Sequence, residues 1–104
     1  MPSKPSTLET VEGILPGITH RKMMGEYLLY KDGKLFGGIY DDRLLLKIVK
    51  ATARIQEWPS AFPYEDGGEM VLVPEPYDPE LLNRVVDEML EELPEPKKRS
   101  RKSV

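Results

Sequence analysis

The chain has 104 residues, no cysteine, one histidine and a formal net charge of −3. This length allows one domain with a modest core. The lack of cysteine excludes disulfides and thiolate zinc sites. The apolar runs fall far short of the roughly 20 residues that a membrane-spanning helix needs, and no apolar stretch follows the first lysine as in a secretory signal. We therefore expect one cytoplasmic domain without a membrane contact.

The charge is distributed unevenly along the chain. Residues 65–92 hold ten acidic residues and one basic residue, whereas residues 94–104 hold five basic residues and one acidic residue. This change of composition, together with prolines at the boundary, predicts a folded domain over residues 1–93 and a disordered basic tail over residues 94–104. The basic residues of the tail are Lys97, Lys98, Arg99, Arg101 and Lys102.

The first element is predicted to be a short helix over residues 7–14. Leu8, Val11 and Leu15 share one helical face. Ser6 and Glu9 have the spacing of a capping box.

From residue 19 the apolar period changes to two, which predicts strands over residues 20–24, 27–31, 34–40 and 43–49. The Asp32-Gly33 pair is a strong hairpin signal, because a type I′ turn needs positive φ at both central residues. A turn or a bulge is predicted at Gly25, and a second tight turn at Asp41-Asp42. We expect Gly37-Gly38 to let a helix or a bulky side chain approach the sheet, and Met23 and Met24 to fill the core.

The second half of the chain is predicted to add a helix, a strand and a longer helix. Ala51, Ile55 and Trp58 have helical spacing over residues 51–58, and residues 70–73 read as a short strand. Asp78 is expected to cap the last helix, with a proline at the first helical position. An apolar stripe follows on that helix: Leu81, Leu82, Val85, Val86, Met89, Leu90 and Leu93.

This order of elements, α-β-β-β-β-α-β-α, predicts an α+β fold. We expect a two-layer sandwich in which an antiparallel sheet of about five strands carries the helices on one face.

The sequence does not support catalysis. A nucleophile usually needs a histidine base, and the single histidine, His20, lies beside two cations on a predicted surface strand. The glycine pairs do not match phosphate-binding loops, and the acidic residues do not match a calcium loop. We therefore predict no catalytic residue, no metal site and no cofactor.

Two features indicate interactions with other molecules instead. Tyrosines and cations on the strands predict a protein-binding face, because tyrosine is favoured at interfaces; its candidates are Arg21, Lys22, Tyr27, Tyr30, Lys47 and Tyr64. The alternative role for Arg21 and Lys47 is pairing within the domain with Asp41, Asp42 or Glu26. The basic tail could contact nucleic acid through counterion release, whereas the acidic body would repel phosphate.

The order of several short motifs resembles the N-terminal domain of TfoX, also called Sxy, a regulator of bacterial competence. The likeness covers about residues 7–93. The motifs are Arg21-Lys22-Met23-Met24-Gly25, Tyr27 with Tyr30, Asp32-Gly33-Lys34, Phe36-Gly37, Asp42-Arg43-Leu44-Leu45-Leu46-Lys47 and Phe62-Pro63-Tyr64.

The resemblance implies a two-layer α+β sandwich and a non-catalytic regulator that acts through a protein partner. It supplies no catalytic residue to this chain. The matching positions are Arg21, Gly25, Gly37, Lys47 and Tyr64, of which Arg21 and Lys47 are the expected shared surface. Self-association into a homodimer is one form that such a contact could take. The alternative function is a nucleic-acid-associated accessory protein that binds through the tail.

Overall fold

The computed structural model describes residues 3–94, which form a six-stranded antiparallel sheet packed against helices. In chain order the elements are α1 (Pro5–Ile14), β1 (Ile18–Met23), β2 (Glu26–Lys31), β3 (Lys34–Tyr40), β4 (Arg43–Leu46), α2 (Lys50–Ala53), β5 (Ser60–Ala61), β6 (Met70–Leu72) and α3 (Pro79–Glu92). The strands lie in the open order β1-β2-β3-β4-β6-β5.

The predicted α+β sandwich is confirmed, and the sheet has one strand more than expected. The additional strand is β5, in which Ser60 pairs with Val71 of β6. Two residues are too few to show a periodic pattern, so the sequence indicated only a loop there. The predicted basic tail lies outside the described residues.

Three two-residue turns connect the first four strands. Met24-Gly25, Asp32-Gly33 and Asp41-Asp42 all have positive φ at both positions, as turns that match the twist of the flanking strands require. The three predicted turns are therefore confirmed. The prediction that Met24 belongs to a strand is wrong, because it is the first residue of a turn.

A β-bulge directs Phe36 into the core. Residues three apart on a regular strand lie on opposite faces, yet Phe36 and Ile39 are both fully buried in the same core cluster. The β2–β3 register shifts after Leu29, which lies opposite Gly37, and leaves Phe36 without a directly opposite residue. The bulged strand bends at this point, so that both large side chains reach the helical layer.

The helical layer packs its apolar residues against this face of the sheet. Asp78 accepts a hydrogen bond from the Leu81 N–H at 3.3 Å, and Pro79 occupies the first position of α3, as predicted. The buried helical residues of the core are Leu8 and Val11 of α1 with Leu82, Val85, Val86 and Met89 of α3.

The N-terminus of α1 is fixed by a carboxylate from a distant turn. The predicted Ser6–Glu9 capping box is wrong, because the helix begins at Pro5 and both residues lie inside it. Asp42 instead accepts hydrogen bonds from the Lys4 N–H and the Thr7 hydroxyl, each at 2.8 Å. These bonds, the backbone bond first, lower the pKa of Asp42 below its ordinary value.

Helix α2 is shorter than the predicted helix over residues 51–58. Beyond Ala53 the chain continues in single turns, yet Ile55 and Trp58 still pack against the core. The helical spacing therefore identified the residues that pack against the core, but only the first part of the predicted segment is helical.

A second distant carboxylate holds the start of α2. Glu92 of α3 accepts hydrogen bonds from the N–H groups of Lys50 and Ala51, each at 2.9 Å. The last turn of α3 is thereby tied to α2.

Candidate interaction surface

The two faces of the sheet differ in what covers them. Tyr27 and Leu29 of β2 lie in the core cluster with the helices, so Leu28 and Tyr30, which alternate with them, point to the other side. We call that side, turned away from α1 and α3, the open face. Tyr40 is also buried but lies outside the core cluster.

A tyrosine pair lies on the open face, at the end of β3. The ring of Tyr40 lies over Gly38, where a Cβ atom would come within 2.6 Å of the ring carbon Cε2. The predicted approach of a bulky side chain at the glycine pair is confirmed there. The rings of Tyr40 and Tyr64 contact each other, with centroids 6.2 Å apart and planes at 59°. Burial raises the pKa of the Tyr40 phenol above its ordinary value, and the nearby Tyr64 raises it further.

Arg43 holds the loop that carries Tyr64. Its Nε donates to the Tyr40 carbonyl at 3.2 Å, and its Nη2 donates to the carbonyls of Phe62 and Pro63 at 3.0 and 3.4 Å. The fork of the guanidinium group suits several acceptors at once. The sequence showed Arg43 only as part of a strand, since the two loop carbonyls that it binds are 19 and 20 residues away along the chain.

A groove of about 440 Å³ opens beside the tyrosine pair, at the end of the sheet next to the β1–β2 turn. We call it the methionine groove, and it is lined by Met23, Met24, Glu26, Tyr40 and Tyr64. The Met24 side chain is 95% exposed and that of Met23 is 44% exposed. The prediction that these methionines fill the core is therefore wrong.

A second groove of about 320 Å³ lies on the other side of the same tyrosines. Its lining includes Leu35, Lys47 and Ile48. The alternation predicted for residues 43–49 fails here, because β4 ends at Leu46. Ile48 is consequently exposed in this groove, and Val49 packs against the core.

The large exposed apolar side chains of residues 3–94 gather at this surface. Four of the five line one of the two grooves, and the fifth, Phe62, belongs to the loop that carries Tyr64. Contiguous exposed apolar surface of this kind marks interaction sites.

The structure separates the six candidate residues that the sequence grouped together. Arg21 lies opposite Leu28 and so belongs to the open face with Tyr30. Lys47 and Tyr64 line the second groove. Lys22 is exposed on the other face of β1, and Tyr27 is only 5% exposed, in the core. Tyr27 therefore cannot contribute to an exposed contact surface.

The internal pairing considered for Arg21 and Lys47 is not formed. Neither side chain makes a hydrogen bond or ion pair with any of residues 3–94. Glu26 accepts instead from the Ser3 hydroxyl at 2.6 Å and from the Asp41 N–H at 3.1 Å. The carboxylates of Glu26 and Asp42 thus hold the N-terminal segment against the sheet. Arg21 is exposed and Lys47 is half-buried.

His20 lies away from the tyrosine pair, on the helical side of β1. Its Nδ1 is 2.8 Å from a carboxylate oxygen of Glu12, and its ring contacts the edge of Tyr27. In the part of the chain that the structure describes, no three His, Asp or Glu side chains are placed to hold a metal ion. Within the same residues, no helix has the length and apolar composition to cross a bilayer.

Comparison with known proteins gives a family for this fold. The sequence pattern of the TfoX N-terminal domain matches residues 9–93, which include every strand and almost all of the helical layer. No curated protein and no solved structure matches the chain. The match spans most of the chain and agrees with the α+β sandwich described above. The chain therefore belongs to the TfoX N-terminal domain family.

Proposed function

We propose that this domain is a non-catalytic regulatory module that acts through a protein partner, with the open face as its contact surface. The observation that carries the proposal is the gathering of exposed apolar side chains around the Tyr40–Tyr64 pair. Membership of a family named for a competence regulator is consistent with a regulatory role.

The composition of the surface favours a protein as the ligand. Aromatic residues and methionine are enriched at the centres of protein interfaces, and methionine adapts its shape to a partner. The methionine groove is lined by methionines, tyrosines and a single carboxylate, that of Glu26. This carboxylate already accepts hydrogen bonds from the Ser3 hydroxyl and the Asp41 N–H, which gives it a structural role. Among residues 3–94, no cation lines that groove, so these residues offer a phosphate-bearing ligand no opposite charge there.

Met24 combines a strained backbone conformation with an exposed apolar side chain, and a contact with a partner would explain both. Its φ of 53° is a left-handed conformation that costs an ordinary residue roughly 1–2 kcal/mol, and asparagine or glycine is preferred in such a turn. Its side chain is also 95% exposed. Folding gains nothing from methionine at this position, whereas a partner would gain a large apolar contact.

The substitution Met24→Asn tests this role because it separates folding from binding. Asparagine tolerates the left-handed turn, so the free energy of unfolding should rise by up to about 1 kcal/mol. Retention of a partner from native lysate by the immobilised chain should fall at least about tenfold, as for an apolar residue at an interface centre. Urea unfolding and quantitative affinity purification measure the two effects.

Arg84→Asn is the matched control, because Arg84 is exposed on α3 rather than at the open face. It should leave partner retention unchanged. Equal retention by the wild type and the Met24 variant would contradict the open face as the contact surface. A chain that retains no protein and is strictly monomeric would contradict the interaction role itself.

The alternative function, nucleic-acid binding through Lys97–Lys102, is supported by the charge of that segment in the sequence. The segment lies outside the described residues. Ending the chain at Leu93 tests the alternative directly. Nucleic-acid affinity that is absent, or that neither this truncation nor added salt reduces, would exclude it.

A further inference from the structure

The free edge of β1 carries a charge pattern that the fold leaves unbalanced. Within residues 3–94, β1 pairs only with β2, and it is the first strand of the open sheet. All of its residues but the first are exposed. No backbone hydrogen bond from residues 3–94 reaches its second edge, so this edge presents N–H and C=O groups that can accept another strand.

Two positive charges lie along this edge without an opposing carboxylate. Arg21 and Lys22 are exposed and form no ion pair with any residue of the described range, whereas the neighbouring His20 contacts Glu12. Adjacent residues of a strand point to opposite faces. Arg21 therefore projects over the open face and Lys22 over the helical face, so the edge is positive on both sides.

A second copy of β1 is a poor occupant of this edge. The strand contains two fixed cations and no acidic residue over Ile18–Met23. An antiparallel β1–β1 pairing centred on Arg21 and Lys22 places the four cations of both strands close together, and like charges on paired strands are destabilising. Lysine and arginine on an edge strand oppose self-pairing in this way.

Resting on the proposed protein-interaction role, we infer that β1 accepts an extended segment of a partner protein that carries two consecutive acidic residues. Such a segment adds a seventh strand by main-chain hydrogen bonds. Because its consecutive side chains also alternate between faces, one carboxylate meets Arg21 and the other meets Lys22. Acidic residues two positions apart would both lie on one face and would satisfy only one cation. Charge complementarity thus specifies both the sign and the spacing of the partner motif.

The added strand would also lie beside the methionine groove. Met23 is the last residue of β1 and lines that groove. A partner residue paired with Met23 therefore lies at the groove entrance, on the same face. The edge and the apolar surface form one continuous contact region.

Titration of the full chain with model peptides tests the inference. The probes are threonine–valine peptides of about eight residues, the length of an ordinary strand, with either an Asp-Glu pair or a Lys-Lys pair at the centre. Amide chemical shifts report where each peptide binds. The Asp-Glu peptide should shift the β1 amides and bind about tenfold more tightly than the Lys-Lys peptide at low salt, with the difference shrinking as salt is added.

Charge reversal supplies the decisive comparison. Arg21→Glu should abolish the preference for the acidic peptide, and the double variant Arg21→Glu/Lys22→Glu should reverse it. Both side chains are exposed without partners among residues 3–94, so these variants should keep the fold and the circular dichroism of the wild type. Arg84→Glu changes the net charge as much as Arg21→Glu does, yet it should retain the preference, because Arg84 lies on α3.

Four results would overturn the inference: no shift of β1 amides by either peptide, equal affinity for both peptides, an unreversed preference in the double variant, or an equal loss in Arg84→Glu. A natural partner whose retention is unchanged by Arg21→Glu but reduced by Met24→Asn would overturn the acidic-strand inference and leave the proposed function intact. Failure of the chain to retain any protein would instead remove the interaction role on which the inference rests.

Discussion

Replacing Gly37 with alanine is expected to destabilise the domain by about 2–4 kcal/mol. A Cβ atom at this position would lie 2.3 Å from the Leu45 carbonyl oxygen and 3.1 Å from the Leu46 Cα. Both are backbone atoms of β4, which pairs with β3 on one side and with β6 on the other. The clash cannot be relieved by a rotamer change, so two strand pairings must shift.

The matched control for Gly37→Ala is Gly13→Ala. Gly13 lies in α1, and a Cβ atom there would meet nothing within 4 Å. Alanine is favoured over glycine inside a helix by up to about 1 kcal/mol, so this variant should be more stable than the wild type. Urea unfolding measured by circular dichroism gives both values. A Gly37 variant within about 0.5 kcal/mol of the wild type would show that β3 and β4 are farther apart than described.

The elements that the sequence predicted well depend on neighbouring residues. The hairpin at Asp32-Gly33 and the turn at Asp41-Asp42 need only the left-handed conformations of their own residues. The last helix likewise begins with its own cap, Asp78, and its apolar stripe follows the helical period. Local chemistry and a regular period were sufficient in each case.

The features that the sequence missed depend on residues far apart in the chain. Asp42 caps α1 from 38 residues away, and Glu92 holds α2 from 42 residues away. No local pattern distinguishes such an acid from a solvated one. The bulge at Phe36 is similar, because it appears only as a shift in the pairing of β3 with β2.

The candidate site was predicted in part, and one error was avoidable. Tyr27 and Tyr30 are three residues apart on one strand, so alternation places them on opposite faces; only one of them could share an exposed face. The exposure of Met24 could not be predicted from its residue type, because methionine usually fills a core. Its exposure follows from its place in a turn, where the side chain has no layer to pack against.

Shortening single leucine side chains of α3 tests which part of its apolar stripe packs against the sheet. Leu82→Ala should lower the free energy of unfolding by about 2–5 kcal/mol, because this side chain is fully buried and its loss leaves a cavity. Leu90→Ala should cost less than about 2 kcal/mol, because Leu90 is only partly buried and solvent can fill part of the space. Urea unfolding of the two variants measures the difference.

Leu82 and Leu90 form a matched pair of identical substitutions on one helix, so the intrinsic helix propensity changes equally in both. The hydrogen bond from the Lys34 Nζ to the Leu90 carbonyl, at 2.7 Å, is a backbone contact that survives the Leu90 substitution. The difference in stability therefore reports how deeply each side chain is buried, together with the cavity that its loss leaves. If Leu90→Ala were as destabilising as Leu82→Ala, the stripe would have to be centred on Leu90, and α3 would be rotated about its axis relative to the sheet.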